Sequence, residues 1–111
     1  MTGMARKVQC QIVTTTFPSR AGARTLARRL VEARLAACVQ LVPIHSLYRW
    51  KNAVESAAEI RLEAKTTVAR APAVVAFIRR HHPYELPEIV VQPIAGGAPD
   101  YLAWIAAEST P

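Results

Sequence analysis

Cysteine is scarce in this chain of 111 residues: only Cys10 and Cys38 are present, and they lack Cys-x-x-Cys spacing. That count excludes a secreted disulfide framework, and each thiol is expected to act as a small buried apolar group. Long apolar runs are missing too, since none approaches the ~20 residues that a membrane-spanning helix needs. The basic pair Arg6 and Lys7 leads into Val-Gln-Cys-Gln-Ile, which is not the apolar core of a signal peptide. These absences make a soluble, cytoplasmic protein without a membrane partner the expectation. Glycine occurs four times, and none forms a phosphate-cradling loop after the first predicted strand, where Thr14-Thr15-Thr16-Phe17-Pro18 stands. Small phosphate-hydrolysing enzymes built on such a loop are thereby disfavoured, and no organic cofactor is implied. Repeats, linkers and low-complexity stretches are absent as well.

What is present is enough apolar residue (51 %) for one domain with a real core. Residues 1–7 read as an N-terminal tail and 8–111 as a single domain. Fourteen basic residues outnumber eight acidic ones, giving +6. That balance permits an acidic partner without requiring one. Arg20, Arg24, Arg28, Arg29 and Arg34 cluster on one predicted helix, where a solvated basic face is the commoner outcome.

The elements follow from periodicity. Val8, Cys10 and Ile12 alternate with Gln9 and Gln11, predicting a half-buried strand over 8–14 that breaks at Thr14–Ser19. Ser19 or Thr16 can cap a helix carrying Ala23, Leu26, Ala27, Leu30 and Val31 at helical spacing. Residues 35–42 and 44–50 are strand-like, and Pro43 marks a bulge, bend or sheet edge. Lys51-Asn52-Ala53 is a tight turn, with Asn52 able to take positive φ. Ile60, Leu62 and Ala64 then alternate with Glu59, Arg61, Glu63 and Lys65. Pro72 opens a second helix with Val74, Val75 and Ile78 inward, and Arg79-Arg80 suit its C-terminal end. Glu88 through Ile94 forms a last strand, and Pro99-Asp100 starts a third helix with Tyr101, Trp104 and Ile105.

The order β-α-β-β-α-β with an extra C-terminal helix predicts a ferredoxin-like α/β sandwich. Two helices cover one face of its antiparallel sheet, and the Gln9/Gln11 and Glu59/Arg61 rows are expected on the open one. Tyr48 and Trp50 sit near the tip of a long β2–β3 hairpin, too far from the core to be buried in a monomer, which points to a partner subunit. RNA-recognition domains share this topology, but here the central strands read Val-Gln-Cys-Gln-Ile-Val and Glu-Ile-Arg-Leu-Glu-Ala and hold no aromatic platform. A nucleic-acid partner is not expected.

One stretch concentrates potential ligands and proton carriers: His81-His82-Pro83-Tyr84-Glu85-Leu86-Pro87-Glu88. Neutral imidazoles of His81 and His82 suit Cu2+, Ni2+ or Zn2+, although adjacent residues share one ion only if the loop turns sharply. The alternative is structural, with one ring at the helix end and the other packed beneath Pro83. Glu85 and Glu88 can act as acid or base or pair with Lys65 or an arginine. No nucleophile of the usual kind accompanies them.

Five motifs in order carry a resemblance over nearly the whole chain: Leu35-Ala36-Ala37-Cys38-Val39, Tyr48-Arg49-Trp50, Lys65-Thr66, His-His-Pro-Tyr-x-x-Pro-Glu, and Asp100-Tyr101-Leu102-x-Trp104. Together they resemble the CutA family, the divalent-cation tolerance proteins. The resemblance implies a homotrimer similar to the PII signalling proteins and a link to copper or another divalent cation, without enzymatic turnover. It makes Tyr48 and Trp50 trimer contacts, and it draws Glu59, Lys65, Tyr84, Glu88 and Trp104, with His82, towards a groove between subunits. A PII-like signalling or scaffold trimer, binding a small ligand or a partner protein in those grooves, is the alternative role. Thr14 stands where some members carry a cysteine suggested as a metal ligand, so a hydroxyl replaces a soft thiolate. Asn52 replaces the usual hairpin glycine, and Ser56-Ala57-Ala58 thins the acids of the returning strand.

Overall fold

The computed structural model describes residues 9–111, so Val8 and the tail over 1–7 lie outside the described residues. Seven elements follow one another: β1 (Cys10–Phe17), α1 (Arg20–Glu32), β2 (Cys38–Trp50), β3 (Ala53–Thr67), α2 (Ala71–His81), β4 (Ile89–Ile94) and α3 (Pro99–Glu108). The strands form one sheet in the order β2-β3-β1-β4, every pairing antiparallel. This is the expected ferredoxin-like sandwich with an added helix.

Both crossover helices start where the sequence places their caps. The Ser19 hydroxyl accepts the Gly22 N–H at 3.1 Å, satisfying one orphan donor of α1. Pro72 occupies the first turn of α2, where a missing N–H costs nothing. Ala23, Leu26 and Leu30 of α1 and Ala71, Val74 and Ile78 of α2 are buried. They close over Val13, Phe17, Leu62 and Ala64 in one core.

Two expectations need correction. β1 does not break at Thr14 but runs on to Phe17, with Thr14, Thr15 and Thr16 all buried. Threonine is β-branched and fits a pleated ladder as well as valine does. The open face is also mis-assigned in part. Register places Gln11 in the row of Val13 and Phe17, opposite Thr66, on the helix-covered side. Glu59, Arg61, Glu63 and Lys65 do line the other side, together with Cys10, Ile12, Thr14 and Thr16. α3 covers one end of that second face, packing Ile105 and Leu102 on Cys10, Ala37 and Ile94.

The hairpin is longer than the alternation suggests. β2 pairs with β3 from Cys38↔Lys65 to Trp50↔Ala53, whereas β1 leaves β3 at Phe17↔Ile60. Residues 44–59 therefore project past the sheet as a two-stranded ribbon and stretch the chain to 59 Å. Lys51 and Asn52 close it with φ of 48° and 67°, the double left-handed pair whose twist matches that of the strands. Pro43 lies on the edge strand β2, where a lost donor is tolerated.

Candidate functional site

Beside the projecting ribbon, the segment over 82–88 leaves α2 and turns back along the sheet. A groove of about 830 Å³ lies between them, lined by Thr16, Tyr48, Trp50, Glu59, Tyr84 and Glu88 among others. The anchor of this wall is His82. Its backbone is extended at φ −82° and ψ 137°, which turns the ring inward between Phe17 and Tyr84, at centroid distances of 4.5 and 5.0 Å. His82 Nε2 lies 2.8 Å from the Thr16 carbonyl oxygen. A carbonyl only accepts, so Nε2 carries the proton. Nδ1 accepts the Tyr84 backbone N–H at 3.1 Å. The ring is held neutral with both nitrogens used. Desolvation pushes its pKa below the usual imidazole value, partly offset by the Thr16 carbonyl and by Glu59.

Tyr84 continues the chain of contacts, its hydroxyl donating to Glu59 Oε2 at 2.8 Å. Burial, then the Glu59 carboxylate, pushes the Tyr84 phenol up to about 12. Tyr84 is accordingly expected to ionise well above the ordinary phenol value. In an alkaline titration followed by tyrosinate absorbance, one step should lie near pH 12 and vanish in Tyr84→Phe. Its stabilising effect is complete below the unfolded phenol pKa of ~10 and is lost as pH rises through the folded value. A Tyr84 step near the ordinary phenol value of ~10 would contradict the Glu59 contact.

Of the predicted site residues, the structure gathers Tyr84, Glu59 and Glu88 around one groove, with Tyr48 and Trp50 on its far wall and His82 packed behind Tyr84. Lys65 and Trp104 are not among them. Lys65 lies six positions along β3 from Glu59, about 20 Å at strand rise, and meets α3 instead. Its Nζ donates to the Tyr101 hydroxyl at 3.3 Å and sits 5.4 Å from that ring's centre. Tyr101 stacks on Trp104 at 5.5 Å. The predicted groove set is thus two separate clusters within one chain. Tyr101 was the missing link, and its spacing of three from Trp104 on a helix could have flagged it.

His81 and His82 do not converge on a common ligand point. His81 ends α2 and turns the other way, its ring 4.6 Å from that of Phe77. Among the described residues, no three His, Cys, Asp or Glu side chains are placed to hold a metal ion within one chain. Thr14 is buried on the sheet face and brings a hydroxyl, not a thiolate, to that position. Arg34, read as part of the basic face, is largely structural. It takes the left-handed turn after α1 at φ 58° and donates to the Thr110 and Ala107 carbonyls at 2.6 and 2.7 Å. It thereby fastens the end of α3.

Fold and groove define a class: a ferredoxin-like sandwich whose long hairpin flanks an acidic, aromatic groove. Comparison with known proteins narrows this. The family described as CutA1 divalent ion tolerance protein matches residues 11–108. The chain is 46 % identical over 96 residues to the divalent-cation tolerance protein CutA of Thermus thermophilus, covering 86 % of this chain and 93 % of that one. Mouse Protein CutA is 43 % identical over 91 residues, 81 % of this chain, which spans 51 % of the mouse protein's length. Among solved structures, the T. thermophilus divalent cation tolerance protein superposes with TM-score 0.87 at 43 % identity, over 91 % of this chain and 99 % of that one. CutA from Synechococcus elongatus gives 0.89 at 33 %, over 96 % and 95 %. The chain belongs to the CutA1 divalent ion tolerance family.

Proposed function

We propose that this chain is the subunit of a homotrimer that acts in tolerance of divalent cations, holding ions without turnover. The observation that carries the reading is the half-built groove. Glu59, Glu85 and Glu88 supply oxygen donors there, yet among the described residues no three ligands converge within one chain. An ion in this groove draws its donors from more than one copy. The exposed aromatics agree with this: Tyr48, Trp50 and Trp104 are 45 %, 37 % and 43 % exposed on one chain, and such rings are costly to leave in water. Copper is the ion the family resemblance favours, and the test compares it with harder cations. We place the protein in the cytoplasm, where the free thiols Cys10 and Cys38 suit a reducing milieu. Recovery in an extracytoplasmic fraction would reverse that assignment.

Calorimetric titration with Cu2+, Zn2+ and Mn2+ tests the site. Glu59→Gln combined with Glu88→Gln is expected to weaken binding about tenfold or more, while His81→Ala leaves it within about twofold. Unchanged affinity in the double glutamine variant would remove the groove from the ion's path. A second reading, a PII-like trimer binding a small ligand or partner protein in the groove, is favoured by the apolar share of its walls, Leu47, Tyr48, Trp50 and Leu86. It predicts a rise in melting temperature with at least one member of a broad metabolite panel, and a flat response across the panel would count against it.

A further inference from the structure

A second cleft opens on the opposite side of the connector, between the start of α1 and the end of α2. It measures about 370 Å³, inside the range of roughly 300–1,000 Å³ typical of small-molecule sites. Phe17, Pro18, Leu26 and Pro83 give it an apolar lining, and Arg29 and His81 supply its ionisable groups. Both are held on one ring. The Arg29 guanidinium lies 5.4 Å from the centre of Phe77, and the His81 imidazole 4.6 Å from it. No Asp or Glu lines the cleft, and among the described residues neither Arg29 nor His81 has an ion-pair partner. A guanidinium fixed on an aromatic face and lacking a carboxylate is prepared for a bidentate anion.

The charge around His81 points the same way. The groups facing it are Arg29 from α1 and Arg80 from its own helix, both cationic. Desolvation and then these two guanidiniums hold its pKa below the ordinary imidazole value. An anion seated beside them would reverse the electrostatic part of that shift.

We propose that this cleft binds a small organic carboxylate with an apolar body, its carboxylate between Arg29 and His81 and its body against Phe17, Leu26 and Pro83. Both halves of the ligand matter. Arg29, joined by His81 once it is protonated, selects the anion, and the apolar lining separates it from inorganic anions. Binding favours the protonated imidazole, so affinity rises as pH falls from 8 to 6, a span in which a carboxylate, with pKa of about 4, stays ionised.

Benzoate serves as the probe, titrated into the full chain and followed by amide and imidazole NMR shifts. Shifts should concentrate at Gly22, Thr25, Arg29 and His81, with affinity about threefold or more tighter at pH 6 than at pH 8. Arg29→Gln, benzamide in place of benzoate, and inorganic phosphate should each weaken binding about tenfold. His81→Gln, which keeps a donor but cannot charge, should retain binding at pH 8 and lose the pH dependence. It also decides the matter if Arg29→Gln does not fold. Equal binding of benzamide would overturn the cationic half, and equal binding of phosphate the apolar half. Shifts scattered elsewhere, or none at tens of millimolar benzoate, would overturn the site.

Discussion

Replacing Tyr48 and Trp50 together by alanine is expected to convert a trimer of about three times 12.2 kDa into monomers at micromolar concentration, as read by light scattering. The two rings lie on the ribbon that projects beyond β1, and each keeps more than a third of its surface exposed on one chain. Aromatic anchors at the centre of an interface are worth ~2 kcal/mol or more each. With two per chain and three chains, the loss is on the order of 10 kcal/mol per assembly. The subunit itself should stay folded, because neither residue touches the core formed around Val13, Leu62 and Ile78. A variant that remains trimeric would show that the ribbon is not the joining element. A monomeric parent protein would remove the trimer altogether.

The second large effect belongs to His82. His82→Ala strips a ring packed on Phe17 and Tyr84 and leaves the Thr16 carbonyl and the Tyr84 N–H without their partner. Lost packing plus two unpaired polar groups cost about 2–4 kcal/mol, seen as a lower urea midpoint at unchanged slope. His82→Gln can donate to Thr16 and accept from Tyr84, and should recover about half of that loss. The pH dependence has a fixed sign. The folded pKa of His82 is lowered, so the folded state binds the proton less readily than the unfolded chain does. Its contribution is therefore complete above the unfolded value of ~6.5 and is lost as pH falls below it towards the folded value. The parent protein should be less stable at pH 5 than at pH 7.5, and His82→Gln should flatten part of that slope. A slope identical in both proteins would show that His82 titrates freely, against the two hydrogen bonds.

Much of the fold was legible because burial leaves a period in the sequence. α1 advertises its stripe of Ala23, Leu26 and Leu30, and β3 its alternation from Glu59 to Lys65, since each buries one face only. The outer hairpin was harder. Ser56, Ala57 and Ala58 follow no apolar alternation because the ribbon has no core beneath it, and only the pairing itself reveals the strand. Thr14-Thr15-Thr16 was misread because threonine serves caps and strands alike, and tertiary burial chose the strand. The candidate site was half legible. Its residue types stand out in the 81–88 stretch, but their directions do not. The helix ends between His81 and His82, and one change of backbone conformation sends two adjacent rings to opposite sides of the connector. The separation of Lys65 from Glu59 is equally invisible without strand rise and the position of α3.

The edge strands carry a last consequence. β2 and β4 are the two ends of the sheet, and each contains a proline, Pro43 and Pro93. Neither residue can offer an N–H to an incoming strand, and exposed strand edges are the usual template for fibrous aggregation. A chain with half-exposed aromatics near its hairpin tip would be open to that hazard during synthesis. The two prolines interrupt the route by which sheets extend without limit, and they leave closed association through side chains as the easier outcome.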